Sequence, residues 1–152
     1  MNSDSSPFSR GYQVGVVVRN IEKAVDFYES LGIGPFVEGP SADAVERKVY
    51  GKDTNMRLKG LIAQMGNIEF ELLQPVGGES LHKEFLDEKG EGIIHICSYT
   101  DDLDGELAKL TEKGFKVVHS AVFSDGGKCA YIDTREVGGF FLELFQPGPK
   151  WK

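Results

Sequence analysis

Two glutamates stand at matching places in two nearly identical phrases of the chain. Glu71 begins E-L-L-Q-P and Glu143 begins E-L-F-Q-P, 72 positions apart in a chain of 152 residues. Each phrase ends a stretch with strand composition, where an apolar side chain would be usual. Glu143 shares its strand face with Phe141 and Phe145, so its carboxylate is costly unless it is neutralised, hydrogen-bonded or bound to a metal. The pair therefore indicates a duplicated module with a polar site shared between the copies.

Gln13 and His95 form a second matching pair. Gln13 opens the run Q-V-G-V-V-V, and His95 lies at the corresponding point of I-I-H-I-C, 82 positions later. Pseudo-twofold packing of the modules would bring both opening positions and both closing positions to one axis. The four side chains would then offer three oxygens and one imidazole nitrogen. This donor set suits a divalent cation of intermediate hardness, with water in the remaining positions.

Each of these residues also has a purely structural interpretation. Gln13 alone would be a solvated strand end, His95 a hydrogen-bonded core histidine, and Glu71 a paired strand carboxylate. Their joint placement at related points of a duplication favours the metal site over these separate explanations. Cys97 shares the strand face of His95 and is either a further ligand or a small packed thiol.

The elements that must position these residues repeat in the same order. Each half has a strand, a capped helix and several short strands, with Asn20 as the first cap and Asp101 or Asp102 as the second. The later strands are predicted at 35–37, 45–50, 56–64 and 68–73, and then at 116–119, 128–133 and 139–145. We predict an α+β fold of two tandem βαβββ modules, whose cupped mixed or antiparallel sheet surrounds a metal-binding cleft.

The predicted organisation is a single domain over residues 11–147. Residues 1–10 are expected to form a flexible tail, followed by module 1 (11–75), a linking helix (80–89) capped by Ser80, and module 2 (91–147). The offsets of 82 and 72 make module 1 the longer copy. The polar stretch 38–55 of this module is either a mobile connection over the site or a solvated loop.

Charge and composition exclude several classes of partner. The net charge of −7 argues against binding to nucleic acid or to an anionic membrane, because phosphate binding needs a cationic face. No apolar stretch is long enough to span a membrane, and the start of the chain lacks an apolar signal core. Two cysteines without a C-x-x-C motif favour a reduced cytoplasmic setting. Exposed strand edges in two half-modules favour a homodimer.

Candidate substrate-binding residues are cations. Five arginines and lysines occur within positions 47–59, and another lysine follows two glycines in the second half. Such side chains bind phosphates or carboxylates, although a solvated strand edge blunted by charge has the same composition. The candidates are Arg47, Lys48, Arg57 and Lys128.

The duplicated modules carry motifs that resemble the vicinal oxygen chelate superfamily. These are Q-V-G-V-V-V, F-Y-E-S-L-G-I-G-P-F, E-L-L-Q-P, G-E-G-I-I-H-I-C and F-L-E-L-F-Q, within about residues 11–147. The chain is similar to the branch that contains glyoxalase I and methylmalonyl-CoA epimerase. Its layout, including P-x-x-x-x-S at 75–80, is nearer to the epimerases. These usually carry histidine where Gln13 stands, however, and the set of Gln, Glu, His and Glu resembles that of some glyoxalase I enzymes.

The resemblance implies a metal-dependent lyase or isomerase. The metal positions of the family fall on Gln13, Glu71, His95 and Glu143, for one divalent zinc, nickel, cobalt or manganese ion. The implied reaction is α-proton transfer through a metal-bound enediolate on a small thioester or hemithioacetal. Glu143 is the expected base. Its apolar neighbours would raise its pKa and direct metal ligation would lower it, so Glu143 would act by leaving the metal when substrate binds. Extradiol dioxygenase activity is disfavoured, because it needs two histidines and one carboxylate.

Two other functions remain open at this stage. A metal-free, drug-sequestering protein of the same fold would bind a small molecule but would have no reason to keep all four ligand-type residues. An inactive structural subunit is the third hypothesis, and no feature of the sequence supports it specifically.

Overall fold

The computed structural model describes residues 6–40 and 44–149, where three helices pack on one ten-stranded sheet. The helices are α1 (Ile21–Ser30), α2 (Leu81–Lys89) and α3 (Leu103–Glu112). The strands are β1 (Gly11–Val17), β2 (Val37–Glu38), β3 (Ala44–Val49), β4 (Lys52–Asp53), β5 (Arg57–Met65), β6 (Ile68–Gly77), β7 (Gly92–Tyr99), β8 (Val117–Phe123), β9 (Lys128–Ile132) and β10 (Phe141–Gln146). The predicted α+β class is confirmed. Within the described ranges, no helix has the length and hydropathy needed to cross a bilayer.

The two modules meet at the centre of the sheet, where β1 and β7 pair antiparallel. The strand order is β2-β5-β6-β1-β7-β10-β9-β8-β3-β4, with β1 parallel to β6 and β7 parallel to β10. Gly15 lies opposite Glu71 in the first module, and Cys97 lies opposite Glu143 in the second. Because these residues correspond in the duplication, both modules use the same register, and the matching glutamates lie at equivalent places.

Strand alternation separates an outer face from an inner face. On the outer face, α1 packs over a cluster that contains Val16 and Leu72, and α3 packs over one that contains Ala130 and Leu144. The intervening residues of the same strands therefore point to the inner, concave face. This alternation turns Glu71 and its counterpart in β10 away from both helices.

The repeated phrase also contains a glutamine with a structural role. The Gln74 side-chain oxygen accepts a hydrogen bond from the backbone N–H of Ile21 at 2.9 Å, and Gln146 accepts one from Leu103 at 2.8 Å. Both donors are the first residue of a helix, where backbone N–H groups lack partners within the helix. Each glutamine thus ties the start of its helix to the last strand of its module.

Three polar side chains begin the helices as the sequence predicts. Asn20, Ser80 and Asp102 accept a hydrogen bond from a backbone N–H in the first turn of α1, α2 and α3. Asp102, rather than Asp101, is therefore the cap of the third helix. Such caps satisfy one of the unpaired donors at each helix start.

Part of module 1 pairs with the strands of module 2. The predicted strand at 45–50 is present as β3, but it pairs with β8 of the second module and is extended by β4. Residues 41–43 lie outside the described ranges. Residues 44–55 thus contain strands, and β2 and β4 lie at opposite ends of the sheet.

The expected tail is described only from residue 6 onward. Residues 6–10 form a turn, and Phe8 packs against the cluster under α3. The rest of the predicted tail, residues 1–5, lies outside the described ranges.

Candidate functional site

The four predicted ligand residues converge on one imidazole nitrogen. His95 Nε2 lies 2.8 Å from Gln13 Oε1, 3.1 Å from Glu143 Oε2 and 3.3 Å from Glu71 Oε2. All four side chains are buried, and each comes from one of the four central strands β1, β6, β7 and β10. The duplicated register therefore places two donors from each module around a common point.

Gly15 leaves the space that the His95 imidazole occupies. It lies opposite His95 across the β1–β7 junction, and a Cβ at this position would meet three atoms of the ring at less than 3.0 Å. Any side chain at position 15 would therefore push the imidazole from its present place. This glycine belongs to the Q-V-G-V-V-V motif, although the sequence alone does not show why glycine is needed.

Glu69 orients the Gln13 side chain, a contact that the sequence did not predict. Gln13 Nε2 donates a hydrogen bond to Glu69 Oε1 at 2.6 Å, which turns the amide oxygen toward His95. Partial burial raises the pKa of Glu69, while the hydrogen bond from Gln13 opposes that shift. Glu69 stands where the second module has Phe141, so the two modules differ in polarity at this position beside the ligand residues.

Tyr131 connects His95 to a second buried histidine. Its hydroxyl lies 3.1 Å from His95 Nδ1 and 3.1 Å from His82 Nε2. The His119 ring lies 4.5 Å from the Tyr131 ring, so the only three histidines of the chain form one cluster. The sequence pattern does not predict this cluster, because His82 lies on the linking helix and His119 on a strand of apolar composition.

Burial dominates the protonation of Glu143. It raises the pKa of this carboxyl to about 7, against opposing effects from the positive charge of His95 and from hydrogen bonds with Cys129 and Cys97. Glu143 Oε2 is fully buried and receives no hydrogen bond within the described ranges. A buried, unsatisfied carboxylate oxygen is costly unless a cation or a proton is added beside it.

The three histidines differ in their protonation. Burial lowers the pKa of His95, but the carboxylates of Glu143 and Glu71 outweigh this effect, so the pKa is raised overall. Burial lowers the pKa of His82 well below its ordinary value and that of His119 to about 3, with nearby positive charge adding to the effect. His82 and His119 are therefore neutral at physiological pH.

A cavity of about 180 Å³ is lined by three of the four predicted ligand residues, Gln13, Glu71 and Glu143. Its walls are carboxylates and an amide at one side and mainly aromatic and aliphatic side chains elsewhere, among them Tyr12, Leu58, Ile62, Tyr99, Phe123 and Phe145. A neighbouring groove of about 420 Å³ shares Arg47 and Leu58 with the cavity wall. The cavity suits a small ligand, while a larger one would also need the groove.

The structure separates the four predicted substrate-binding cations. Arg47 lines the cavity and donates a hydrogen bond to the Met56 carbonyl at 3.2 Å, and Arg57 lines the groove. Lys48 lies 3.6 Å from Glu46 on β3 and does not line the cavity. Lys128 bonds Asp104 of α3 at 2.7 Å, also away from the cavity. Arg47 is therefore the member of the set that lines both spaces, and Arg57 lines the groove alone.

The donor set fits a divalent ion. Ligand atoms about 2.0–2.2 Å from an ion are about 3 Å from their neighbours, close to the distances of three oxygens from His95 Nε2. In residues 6–40 and 44–149, no three His, Cys, Asp or Glu side chains already surround an ion position. The carboxylates of Glu71 and Glu143 would therefore have to turn from the imidazole toward the ion.

Cys97 is better explained as a packed thiol than as a fifth ligand. It lies in an apolar cluster with Phe145, and burial raises its pKa well above the ordinary value of a thiol. A metal ligand would have to be the thiolate, which this environment disfavours.

Comparisons with known proteins identify related sequences. A family model described as the glyoxalase/bleomycin resistance protein/dioxygenase superfamily matches residues 12–131. The chain is 28% identical over 137 residues to the uncharacterized protein YqjC of Bacillus subtilis, which covers 88% of this chain and 89% of that protein. It is 27% identical over 136 residues to human mitochondrial methylmalonyl-CoA epimerase, which covers 88% of this chain and 71% of the human protein.

Solved structures with similar folds include two methylmalonyl-CoA epimerases. The enzyme from Mycobacterium tuberculosis matches with a TM-score of 0.71 at 23% identity, over 97% of this chain and 93% of that one. An epimerase in complex with methylmalonyl-CoA and NH4+ matches with a TM-score of 0.68 at 22% identity, over 92% of this chain and 95% of that one. These matches show that the curled sheet and its helices are a shared fold.

Proposed function

Because the chain belongs to the glyoxalase/bleomycin resistance protein/dioxygenase superfamily, we propose that it is an isomerase of the methylmalonyl-CoA epimerase type. Its substrate would be a small acyl thioester with an acidic α-proton. The human relative and two solved neighbours carry that name, which supports the reaction class. The observation that carries the proposal is the convergence of three oxygen donors on His95 Nε2 beside a cavity.

One divalent zinc, nickel, cobalt or manganese ion would be held by the convergent side chains. They offer one nitrogen, one amide oxygen and two carboxylates, a mixture that suits ions between the hardest and the softest. Bound there, the ion would supply positive charge against the negative charge that develops on a substrate oxygen when the α-proton leaves. The four residues are Gln13, Glu71, His95 and Glu143.

Glu143 would move the proton. In the metal-free protein its pKa of about 7 is close to the working pH, as efficient general acid–base catalysis requires. Its Oε2 lies 3.1 Å from His95 Nε2 and accepts no hydrogen bond in the described residues. Glu143 would leave the ligand set when substrate binds and take the α-proton, and the centre would be inverted when a proton is delivered to the opposite face of the same carbon. Its aromatic neighbours Phe141 and Phe145 keep the carboxyl in apolar surroundings.

The cavity and the groove divide the substrate between them. At about 180 Å³, the cavity accommodates the reacting acyl group but not a large carrier. The thioester carrier would extend into the adjoining groove, where Arg57 is available to an anionic group. Arg47 lies at the boundary of the two spaces and would face the thioester end of the acyl group.

The proposal is tested by α-proton exchange in deuterated water. Wild-type protein loaded with zinc or cobalt is incubated with methylmalonyl-CoA, and deuterium at the α-carbon is followed by mass spectrometry. We expect Glu143→Gln to slow exchange by about 100- to 10,000-fold, while Glu112→Gln, an exposed carboxylate on α3, leaves it unchanged. Unimpaired exchange by Glu143→Gln would show that another group is the base.

A glyoxalase-type lyase is the second candidate. It is favoured by the donor set itself, since Gln, Glu, His and Glu match some glyoxalase I enzymes more closely than the usual epimerase set. Exchange and product formation with a glutathione hemithioacetal, but not with methylmalonyl-CoA, would select this candidate. Binding of small apolar molecules by a protein that retains no metal would instead select the drug-sequestering alternative.

A further inference from the structure

We propose that Tyr131 and His82 are positioning residues that hold His95 in the tautomer whose Nε2 accepts a metal ion. The inference rests on the metal site of the proposed function. It concerns side chains that contact His95 from the side opposite the other ligands. The three side chains form a hydrogen-bonded series, in which the Tyr131 hydroxyl lies 3.1 Å from His95 Nδ1 and 3.1 Å from His82 Nε2.

The direction of the hydrogen bonds decides which nitrogen of His95 is available. A tyrosine hydroxyl has a single hydrogen, so it donates to one ring nitrogen and accepts from the other. When it donates to His82 Nε2, it accepts from His95 Nδ1–H, and neutral His95 keeps its lone pair on Nε2. The opposite direction places the hydrogen on Nε2, where it points at three oxygens and blocks an ion.

As the acceptor at the end of this series, His82 carries its own hydrogen on Nδ1, a buried atom with no hydrogen-bond partner in the described residues, so metal binding at His95 must outweigh the cost of that unpaired N–H. His82 is completely buried at the start of the linking helix α2, and its burial lowers its pKa, so it stays neutral and retains a lone pair. Tyr131 is equally enclosed, since only 4% of its surface is exposed and its single hydroxyl lies within hydrogen-bond distance of both rings. The linking helix thereby acts on the ligand set without contacting the ion.

The effect should appear in the metal-bound protein rather than in the free one. Without an ion, His95 can place its hydrogen on Nε2 and donate it to Gln13 Oε1, which leaves only an acceptor at Nδ1. With an ion on Nε2, the hydrogen must be on Nδ1, and a buried N–H without an acceptor is costly. Removal of the Tyr131 hydroxyl should therefore weaken metal binding more than it weakens folding.

The test measures zinc affinity by competition with a chromogenic chelator. We expect Tyr131→Phe to weaken zinc binding by about 10- to 100-fold, as loss of a hydrogen-bond partner behind a metal-bound histidine commonly does. Tyr12→Phe is the matched control, because Tyr12 lines the same cavity but its hydroxyl lies 3.6 Å from Cys97 Sγ. Equal zinc affinity of Tyr131→Phe and wild type would overturn the proposal.

A second pair of variants keeps the phenol in place. His82→Leu removes the acceptor at the end of the series, whereas His82→Gln restores one through its side-chain oxygen. We expect the leucine variant to bind zinc more weakly than the glutamine variant. Equal affinities would show that His82 only fills space.

Nitrogen NMR of the zinc-loaded protein gives a readout that is independent of affinity. Long-range 15N–1H spectra should show hydrogen on Nδ1 of both His95 and His82. Hydrogen on Nε2 of His82 would mean the series runs the other way and would overturn the inference. Failure of wild-type protein to bind zinc, cobalt, nickel or manganese would remove the proposed function as well, so the two failures are distinguishable.

Discussion

Glu143 carries a carboxyl group that is buried in the site. It is buried among phenylalanines and beside a second carboxylate, and both surroundings disfavour its anion. An ion in the site would favour the anion. The Glu143 carboxylate therefore destabilises the metal-free protein, and the same carboxylate can bind an ion.

This cost predicts a pH dependence of stability. Folding raises the pKa of Glu143 from 4.5 to about 7, so the metal-free protein loses stability as pH rises through this window. Glu143→Gln removes that loss, and part of the parallel loss from His95, whose pKa Glu143 raises. Between pH 4.5 and about 7, we expect the unfolding free energy of Glu143→Gln to rise relative to that of wild type by on the order of 3 kcal/mol. Urea denaturation in chelator measures it, and parallel pH curves would contradict it.

At the residue scale, the sequence predicted which four side chains converge but not the residues that support them. Gln13, His95 and the two glutamates share positions in a duplication, and a duplication tells which residues approach a common axis. Tyr131 and His82 have no counterparts that reveal their role. Their contact depends on how the linking helix packs against the sheet, which no local pattern encodes.

At the scale of elements, the closeness of β1 and β7 is what makes the site possible. We expect Gly15→Ala to weaken zinc binding by about 10- to 100-fold, because the new methyl displaces the imidazole of His95. Overpacking should also lower the unfolding free energy by about 1–3 kcal/mol. Gly11→Ala on the same strand is the control, since nothing lies within 4 Å of its added Cβ. Similar zinc affinity of the two variants, measured by the same competition assay, would contradict the steric argument.

The path of β3 shows where prediction of elements stops. The strand itself was predicted at 45–50, since its composition is local information. Its distant partner was not, because β3 pairs with β8 of the second module as well as with the neighbouring β4. Strand pairing across such a distance depends on the curvature of the whole sheet.

At the scale of the whole molecule, the proposed ion would bridge the modules. Gln13 and Glu71 come from module 1, and the other two ligands come from module 2. We expect zinc at about 100 times its dissociation constant to stabilise the folded protein by about 2.7 kcal/mol. Thermal denaturation with and without zinc measures this gain. Glu71→Ala should lose most of it and Glu112→Ala should keep it, so an equal gain in both variants would contradict the site.

Association of two copies stays a prediction at this scale. The strands at the two ends of the sheet, β2 and β4, are two residues long each. They offer little backbone for edge-to-edge pairing, so exposed strand edges give only weak support for a homodimer.

The crossing of β3 to the far module has a consequence for synthesis of the chain. The partner strand β8 is made about 70 residues after β3, so β3 leaves the ribosome long before it can pair. At typical translation rates of about 5–20 residues per second, this strand waits for seconds with unpaired backbone groups. Its sequence, A-V-E-R-K-V, carries three charges in six residues. Charge of this kind keeps a waiting strand from pairing with a neighbouring chain.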